Sequence, residues 1–543
     1  MFVEEKLKAQ FPDTVYTALA PPDRHPGFNY KGFHPGRATR LPRGHVKEPG
    51  YQAFPVDVTW EEDQAIPMRD GVKLYADIFR PADESEKVPA IIPWSPYGKV
   101  GTSTLNYDNM GPWRIGIPYQ NLSGYETFEE AVDIYDTITW VSEQSWCNGS
   151  VVMAGNSWLA ISQLNFASRF QHPNLKAIAP WEGLTDLYDH QICRGGIPKP
   201  AFGELILRGF AGVGKAENIG VMVKSRPLFD EYWEEKQINP EDIKDIPMYL
   251  TASYSTGLHC EGSFRAFELA QTSRKWLRVH STQEWHDLYR REVTDDLQRF
   301  YDYYAKGYDG SITKTIVERP EEQWPPARQH IRRYYLDAAT QTFSAVKPVN
   351  SASVAHEGHS LTASSDFTLI FDKYTELCGR PFVKLYMSSN VKDDFDVVVQ
   401  IRKVSASGEL LESLNWSPMP APGPKVPNVN VAKHLGQQGM LRASHHVSLQ
   451  PRASEDDVPV YDHRSREAIA PRDIVPLLIP IWPLGVVFEA GEGLMLRVSG
   501  HDMSLPETES LRLTAPVDEN EGQHTVYTGG EYESYLAIPV ING

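Results

Sequence analysis

The 543-residue chain contains few cysteines, and its four are widely spaced: Cys147, Cys193, Cys260 and Cys378. There is no CxxC pair, which argues against a disulfide framework and against a structural zinc site of the cysteine type. Such sparse cysteine usage is typical of a reducing compartment. We therefore expect a cytoplasmic protein.

The sequence also lacks an uninterrupted apolar run long enough to cross a membrane. Its longest run, IVPLLIPIWPLGVVF from Ile474, is broken by three prolines and a glycine, which favours strands joined by a turn. The first residues, MFVEEKLKAQFPDTV, carry charges where a signal peptide needs an apolar core. We expect neither secretion nor membrane association.

Positive charge is in deficit, with 53 Lys and Arg against 71 Asp and Glu and a net charge of −18. This balance argues against nucleic acid or anionic lipid as the main partner. Phosphate loops, GxGxxG and HExxH are missing as well, so we expect no cofactor and no metal. The expected partner is a small-molecule substrate, and a homodimer stays open.

Hydrophobic periodicity changes along the chain and predicts several domains, as the length requires. Strands and helices alternate over 56–183 and again over 246–326, which indicates a parallel sheet covered on both faces. Residues 184–245 are mostly helical in pattern and read as a cap inserted at the carboxyl edge of that sheet. From about residue 327 to 543 the period is two, which predicts a β-sandwich. Residues 1–55 show no sustained period and are predicted to be an irregular extension.

A serine lies between a predicted strand and a predicted helix in the stretch VVMAGNSWLAISQ. The strand is predicted over Ser150–Ala154 and the helix over Trp158–Phe170, which leaves Ser157 on the turn that joins them. Gly155-x-Ser157 in this context is typical of the nucleophile elbow of α/β-hydrolases. The pattern is incomplete, because Leu159 replaces the second glycine.

Motifs in order along nearly the whole chain resemble those of the cocaine esterase / X-prolyl dipeptidyl aminopeptidase-like serine hydrolases. The matching segments are IPMRDGVKLYADIFRP, PWSPYGK, DIYDTITWVSEQSWCNGSVVMAGNSW, GSFRAF, LCGRPFVKLYMSS, GMLRASHH and PLGVVFEAGEGLMLRVSG. The resemblance implies an α/β-hydrolase domain with a helical cap insertion and a C-terminal all-β jelly-roll domain. It also implies that Ser157 is the nucleophile, and that the Tyr97 hydroxyl and the Trp158 backbone N–H form the oxyanion hole.

The remaining catalytic groups match the family pattern poorly. The family's acid position falls on Gly257, and the histidine position falls on either Glu284 or His286, depending on the register. Three histidines therefore compete for the role of base: His286, which we prefer, then His280, then His259. The orienting carboxylate is open among three residues: Glu284, Asp287 and Glu261.

Two further hypotheses concern residues near these catalytic candidates. Asp186 and Asp189, at the start of the cap, could contact substrate. A metal centre could draw on the histidines and glutamates around the two strand ends, but their spacing matches no metal motif, so we set it aside.

The sequence therefore predicts a serine hydrolase that acts through an acyl-enzyme on a small ester or amide, with dipeptidyl-peptidase activity open. Two alternatives stand beside it. One is an acyl transferase, lyase or cyclase on the same fold with a displaced triad, and the other is a non-catalytic binding protein.

Overall fold

The computed structural model describes residues 3–21, 23–24, 32–46, 53–95, 128–209, 212, 214–281, 291–308, 319–411, 435–502 and 519–541. The α-helices are α1 (Val3–Gln10), α2 (Phe128–Ser142), α3 (Trp158–Arg169), α4 (Pro200–Gly209), α5 (Ile219–Ser225), α6 (Glu231–Glu234), α7 (Cys260–Leu269) and α8 (Arg291–Lys306). Short 3₁₀ or π turns span Tyr188–Ile192, Arg194–Gly196, Pro240–Asp242 and Ala443–Ser448.

The first ten strands lie before residue 281. They are β1 (Tyr16–Ala18), β2 (Ala38–Leu41), β3 (Val58–Pro67), β4 (Lys73–Pro81), β5 (Val88–Ile92), β6 (Cys147–Asn156), β7 (Leu175–Trp181), β8 (Lys215–Glu217), β9 (Met248–Ser253) and β10 (Lys275–His280).

Five of these strands form a parallel sheet in the order β10-β9-β7-β6-β5. The alternation of side chains along β6 shows why its sequence is continuously apolar. Val151 and Met153 enter the core that contains Ile134 of α2 and Leu164 of α3, whereas Val152 enters a second core with α8. Because both faces of the sheet are buried, every position of the strand interior is hydrophobic.

Strands β3 and β4 form a hairpin around Arg69-Asp70-Gly71. Strands β3 and β4 pair antiparallel, and β2 adds to the outer side of β3. Gly71 has a φ of +89°, a left-handed conformation that glycine adopts without steric cost.

The prediction of an irregular N-terminal extension was wrong in part. Residues 3–10 form helix α1, β1 pairs with β8 across about two hundred residues, and β2 pairs with β3. Strands of three or four residues are too short to show a period, and their partners lie elsewhere in the chain. Local periodicity could not have detected them.

Fourteen strands follow, in one connected antiparallel system apart from a single parallel contact. They are β11 (Gln329–Asp337), β12 (Thr342–Ser344), β13 (Ala352–Glu357), β14 (Ser365–Ile370), β15 (Thr375–Gly379), β16 (Phe382–Ser389), β17 (Asp396–Val404), β18 (Leu410–Leu411), β19 (Gln438–Arg442), β20 (Val475–Pro480), β21 (Leu484–Phe488), β22 (Gly493–Ser499), β23 (Gln523–Thr528) and β24 (Tyr535–Ile541). The apolar run from Ile474 supplies β20 and β21, as predicted.

The all-β region packs closely against the segment between β7 and β9. Ile197 of that segment shares a small core with Val398 of β17 and Met440 of β19. At Gly195, which has a φ of +60°, an added Cβ would lie 2.1 Å from the Met440 carbonyl oxygen. This contact therefore requires glycine. Among the described residues, no helix is both long and apolar enough to cross a lipid bilayer.

Candidate active site

Ser157 lies on a tight turn between β6 and α3. Its backbone has φ 60° and ψ −123°, a conformation that costs a non-glycine residue on the order of 1–3 kcal/mol. The neighbouring strand end supports it, because the Ser157 N–H donates to the carbonyl oxygens of Trp181 (3.1 Å) and Glu182 (3.0 Å). The turn holds the serine at the carboxyl edge of the sheet, the geometry of a nucleophile elbow.

The structure explains how the elbow accommodates Leu159 in place of a second glycine. Gly155 has a φ of +130°, and an added Cβ there would lie 2.4 Å from the Leu159 Cβ. The Leu159 side chain thus packs over the bare backbone of Gly155. The turn therefore needs glycine at position 155, and a larger residue fits at position 159.

Among the described histidines, His259 contacts the serine. Its Nε2 lies 3.0 Å from the Ser157 Oγ. His259 comes from the loop after β9, where it is the N-cap residue of α7, and its side chain is almost completely buried. A hydroxyl that donates to Nε2 requires the imidazole proton on Nδ1, and in that tautomer Nε2 can accept the proton of Ser157.

The surroundings of His259 strongly favour the neutral imidazole. Burial, with a smaller contribution from the charge of His190, lowers the pKa of His259 to about 3. Its Nδ1 is enclosed and has no hydrogen-bond acceptor among the residues that the structure describes. Among the described residues, no carboxylate accepts a hydrogen bond from Nδ1, the contact that usually raises the pKa of such a base.

His280, at the end of β10, is paired with a different group. Its Nε2 lies 2.6 Å from Glu182 Oε1, and both side chains are buried. Glu182 follows β7 in a left-handed conformation, with φ 53°, and its N–H donates to the Thr251 carbonyl oxygen in β9. The pair thus ties together the carboxyl ends of three adjacent strands beside the elbow. Sequence reasoning missed Glu182, although an acidic residue directly after a buried strand was a usable signal.

The orienting role considered for Glu261 does not fit its contacts. Both of its carboxylate oxygens bond to Arg380 Nη1, at 2.7 and 2.6 Å, and Arg380 also bonds to Glu268 on the same helix. Arg380 lies between β15 and β16, so the all-β region grips the helix whose first end carries His259. Glu261 and Arg380 are 119 positions apart, and no local pattern could have predicted their contact.

More contacts from the all-β region fix the loop between β9 and α7. The Gln437 side-chain amide donates to the Tyr254 carbonyl oxygen (2.8 Å), and the Tyr254 hydroxyl lies 3.4 Å from Cys378 Sγ. An added Cβ at Gly485 would lie 2.3 Å from the Tyr254 ring. The position of His259 is thus set from both halves of the chain.

Trp158, the first residue of α3, is held from behind by a carboxylate. Glu130 Oε1 accepts from the indole N–H groups of Trp158 (3.1 Å) and Trp94 (3.3 Å), and Asn165 donates to its other oxygen (3.2 Å). Burial raises the pKa of Glu130. These bonds fix the residue whose backbone N–H was predicted to bind the oxyanion.

Asp186 and Asp189 lie within the segment after β7, where their carboxylates bind other groups of the protein. Asp189 Oδ1 accepts from the Gly195 N–H (3.0 Å) and lies 3.4 Å from His463 Nε2. The Asp189 N–H and the Gln237 amide donate to Asp186. These bonds organise the segment itself.

Several predicted site residues lie outside the described residues: Tyr97, Glu284, His286 and Asp287. The preference for His286 as base is therefore not tested, while His280 contacts Glu182 and His259 contacts the serine. All four cysteines are free and buried. Within the described ranges, no three or more His, Cys, Asp or Glu side chains are grouped so that they could hold a metal ion.

Two family models and a curated relative match parts of the chain. Residues 106–219 match the family model of the X-Pro dipeptidyl-peptidase (S15 family), and residues 298–537 match that of the X-Pro dipeptidyl-peptidase C-terminal non-catalytic domain. Cocaine esterase from Rhodococcus sp. (strain MB1 Bresler) is 34% identical over 136 residues, a match that spans 23% of each chain.

Solved structures extend the similarity over nearly the full length. A CocE/NonD family hydrolase from Staphylococcus aureus is 27% identical, with a TM-score of 0.79 over 94% of this chain and 97% of the other. An aminopeptidase from a marine sediment archaeon, Thaumarchaeota archaeon, is 16% identical with a TM-score of 0.64 over 89% of this chain and 97% of its own, and shares the fold. The protein thus has a serine hydrolase fold with a C-terminal domain. The chain belongs to the cocaine esterase / X-prolyl dipeptidyl peptidase-like family of serine hydrolases.

Proposed function

We propose that the protein hydrolyses a small ester or amide through an acyl-enzyme, with Ser157 as nucleophile and His259 as general base. The observation that carries this proposal is the 3.0 Å contact between Ser157 Oγ and His259 Nε2. It joins a serine on a strained elbow to a buried neutral imidazole, and neither feature is needed for the fold to form.

In the first half of the reaction, Ser157 Oγ bonds to the substrate carbonyl carbon while its proton passes to His259 Nε2. The carbonyl oxygen becomes an oxyanion, and the Trp158 N–H at the start of α3 is the described donor beside it. One such donor contributes on the order of 3 kcal/mol to transition-state stability. The bond to the leaving group then breaks, and His259 returns the proton to that group.

In the second half, water attacks the acyl carbon and gives its proton to His259. The bond between the acyl carbon and Ser157 Oγ breaks, Oγ regains the proton, and the acid leaves. The Tyr97 hydroxyl, outside the described residues, stays the second oxyanion donor that the family resemblance predicts.

We also propose that residues 184–245 act as a cap and that the strands β11–β24 build a jelly roll. The first proposal is supported by the position of the segment, which leaves the sheet after β7 and returns at β9 beside Ser157. The second is supported by the predominantly antiparallel pairing and by the single large core that these strands enclose.

A fluorophosphonate probe tests the proposed nucleophile directly. It should label one serine, and peptide mass spectrometry should place the label on Ser157. Ser157→Ala should abolish labelling, whereas the matched control Ser162→Ala, on α3 and bonded to the Leu159 carbonyl oxygen, should still be labelled. Labelling at another serine, or none in the folded wild type, would contradict the proposal.

A further inference from the structure

Arg194 carries a buried guanidinium at the junction between the segment after β7 and the all-β region. It lies in the short helix Arg194–Gly196, and its side chain is 7% exposed. Its guanidinium carbon lies 3.6 Å from the ring centre of Trp482, and its Nη2 donates to the Gln438 carbonyl oxygen. Stacking on an indole leaves the edge of a guanidinium free to bind a planar anion.

No carboxylate among the described residues forms an ion pair with Arg194. Three acidic groups whose charges act on Arg194 are engaged with other residues. Asp502 pairs with Lys199 at 2.5 Å, Glu261 pairs with Arg380 at 2.6 Å, and Asp189 contacts Gly195 and His463. The guanidinium therefore lies in an acidic surrounding without a bidentate partner of its own.

Two other arginines with little exposed surface show a different arrangement. Arg380 bonds to Glu261 and Glu268, Arg442 bonds to both oxygens of Asp396, and in each case the carboxylates raise the pKa of the guanidinium. Burial instead lowers the pKa of Arg194 to about 10. Arg194 remains a cation at neutral pH, without the carboxylate that its counterparts have.

One edge of the Arg194 guanidinium has no partner among the described residues. Nε and Nη1 form no hydrogen bond among the described residues, yet neither is among the fully enclosed side-chain atoms that lack a partner. Cys260, the residue after His259, has its Sγ 3.6 Å from the carbonyl oxygen of Pro483, which follows the Trp482 on which Arg194 stacks. Arg194 thus lies on the side of the proposed base.

We propose that Arg194 binds a carboxylate carried by the substrate, so that the preferred substrates are esters or amides of an anionic acyl or leaving group. The free Nε and Nη1 edge matches the two oxygens of a carboxylate. This inference rests on the proposed hydrolase function, and it adds the chemical class of the substrate.

The kinetic test compares two activated esters of similar size, p-nitrophenyl hydrogen glutarate and p-nitrophenyl valerate, in the full-length protein. The wild type should hydrolyse the anionic ester with the lower KM. Arg194→Gln should raise that KM at least ten-fold and change kcat/KM for the neutral ester by less than three-fold. Arg194→Lys should recover part of the loss.

Arg464→Gln is the matched control, because Arg464 also joins the segment after β7 to the all-β region, through Glu234 and the Phe229 ring, but at the surface. It should leave the preference for the anionic ester unchanged. Equal effects of Arg194→Gln on both esters, with an unchanged melting temperature, would overturn the inference.

A binding measurement separates failure of this inference from failure of the hydrolase proposal. Calorimetry with glutarate needs no turnover. The wild type should bind glutarate, glutaramide should bind at least ten-fold more weakly, and Arg194→Gln should remove the difference. If the wild type hydrolyses valerate but binds glutarate no better than glutaramide, the carboxylate site is refuted while the hydrolase function stands. Glutarate binding without hydrolysis of either ester would refute the hydrolase function alone.

Discussion

Two buried histidines lie near the carboxyl ends of neighbouring strands, in opposite surroundings. His280, at the end of β10, faces the Glu182 carboxylate at 2.6 Å. His259, after β9, contacts the Ser157 hydroxyl, and its Nδ1 has no acceptor within the described ranges. Contact with the serine hydroxyl therefore marks His259 as the candidate base, and contact with Glu182 marks His280 as a link between strand ends.

The largest expected effect comes from removing the nucleophile, which the two histidines approach differently. Ser157→Ala should lower kcat for an activated ester by at least about three orders of magnitude. Its melting temperature should stay within a few degrees of the wild type, because the hydroxyl contributes little to packing. Stopped-flow hydrolysis and thermal unfolding measure both quantities. A variant that keeps more than a tenth of the activity would refute the assignment.

The next largest effect shows whether the Glu182–His280 pair serves stability or catalysis. Glu182→Gln leaves a buried histidine without its carboxylate and should lower the free energy of unfolding by about 3 kcal/mol, as measured in urea. The double variant Glu182→Gln, His280→Gln should recover part of that stability, because the two side-chain amides can hydrogen-bond to each other in place of the lost contact. If Glu182→Gln abolished acylation without loss of stability, the pair would belong to the catalytic machinery.

A smaller effect is expected when the bonds from Arg380 of the all-β region to α7 are removed. Arg380→Gln leaves Glu261 and Glu268 without their common partner, so the first turn of α7, and His259 with it, should shift. We expect kcat to fall about ten-fold while KM changes little, because the base is misplaced and the substrate pocket is kept.

The matched control for this variant is Arg319→Gln, which removes a half-exposed arginine that is paired with Glu376. It should have no effect on kcat, and Arg380→Lys should restore part of the wild-type value. A change in KM alone for Arg380→Gln would assign Arg380 to substrate binding.

The smallest expected effect is that of pH on kcat/KM, which should be almost absent. A free imidazole has a pKa of about 6.5 and would be lost as a base below that pH. Because burial lowers the pKa of His259 to about 3, its Nε2 stays deprotonated down to pH 5. We expect kcat/KM for a neutral ester to vary less than two-fold between pH 5 and 8. A drop centred near pH 6.5 would show that a carboxylate raises this pKa in the folded enzyme.

Much of the sheet and the nucleophile turn could be predicted from the sequence, because both depend on local patterns. The strand predicted over Ser150–Ala154 lies inside β6, and the helix predicted to start at Trp158 starts there. The choice of base could not be made in the same way. His259 lies 102 residues from Ser157, and its approach depends on the length of the loop after β9, which a family register does not fix.

The account's central claim is that His259 is the base, and single-turnover acylation of two variants tests it most directly. His259→Gln should lose the burst of p-nitrophenol from an activated ester and should react at least about a hundred-fold more slowly. His280→Gln, if folded by circular dichroism, should keep the burst at a rate within ten-fold of the wild type. A normal burst in His259→Gln, together with its loss in a folded His280→Gln, would contradict the account.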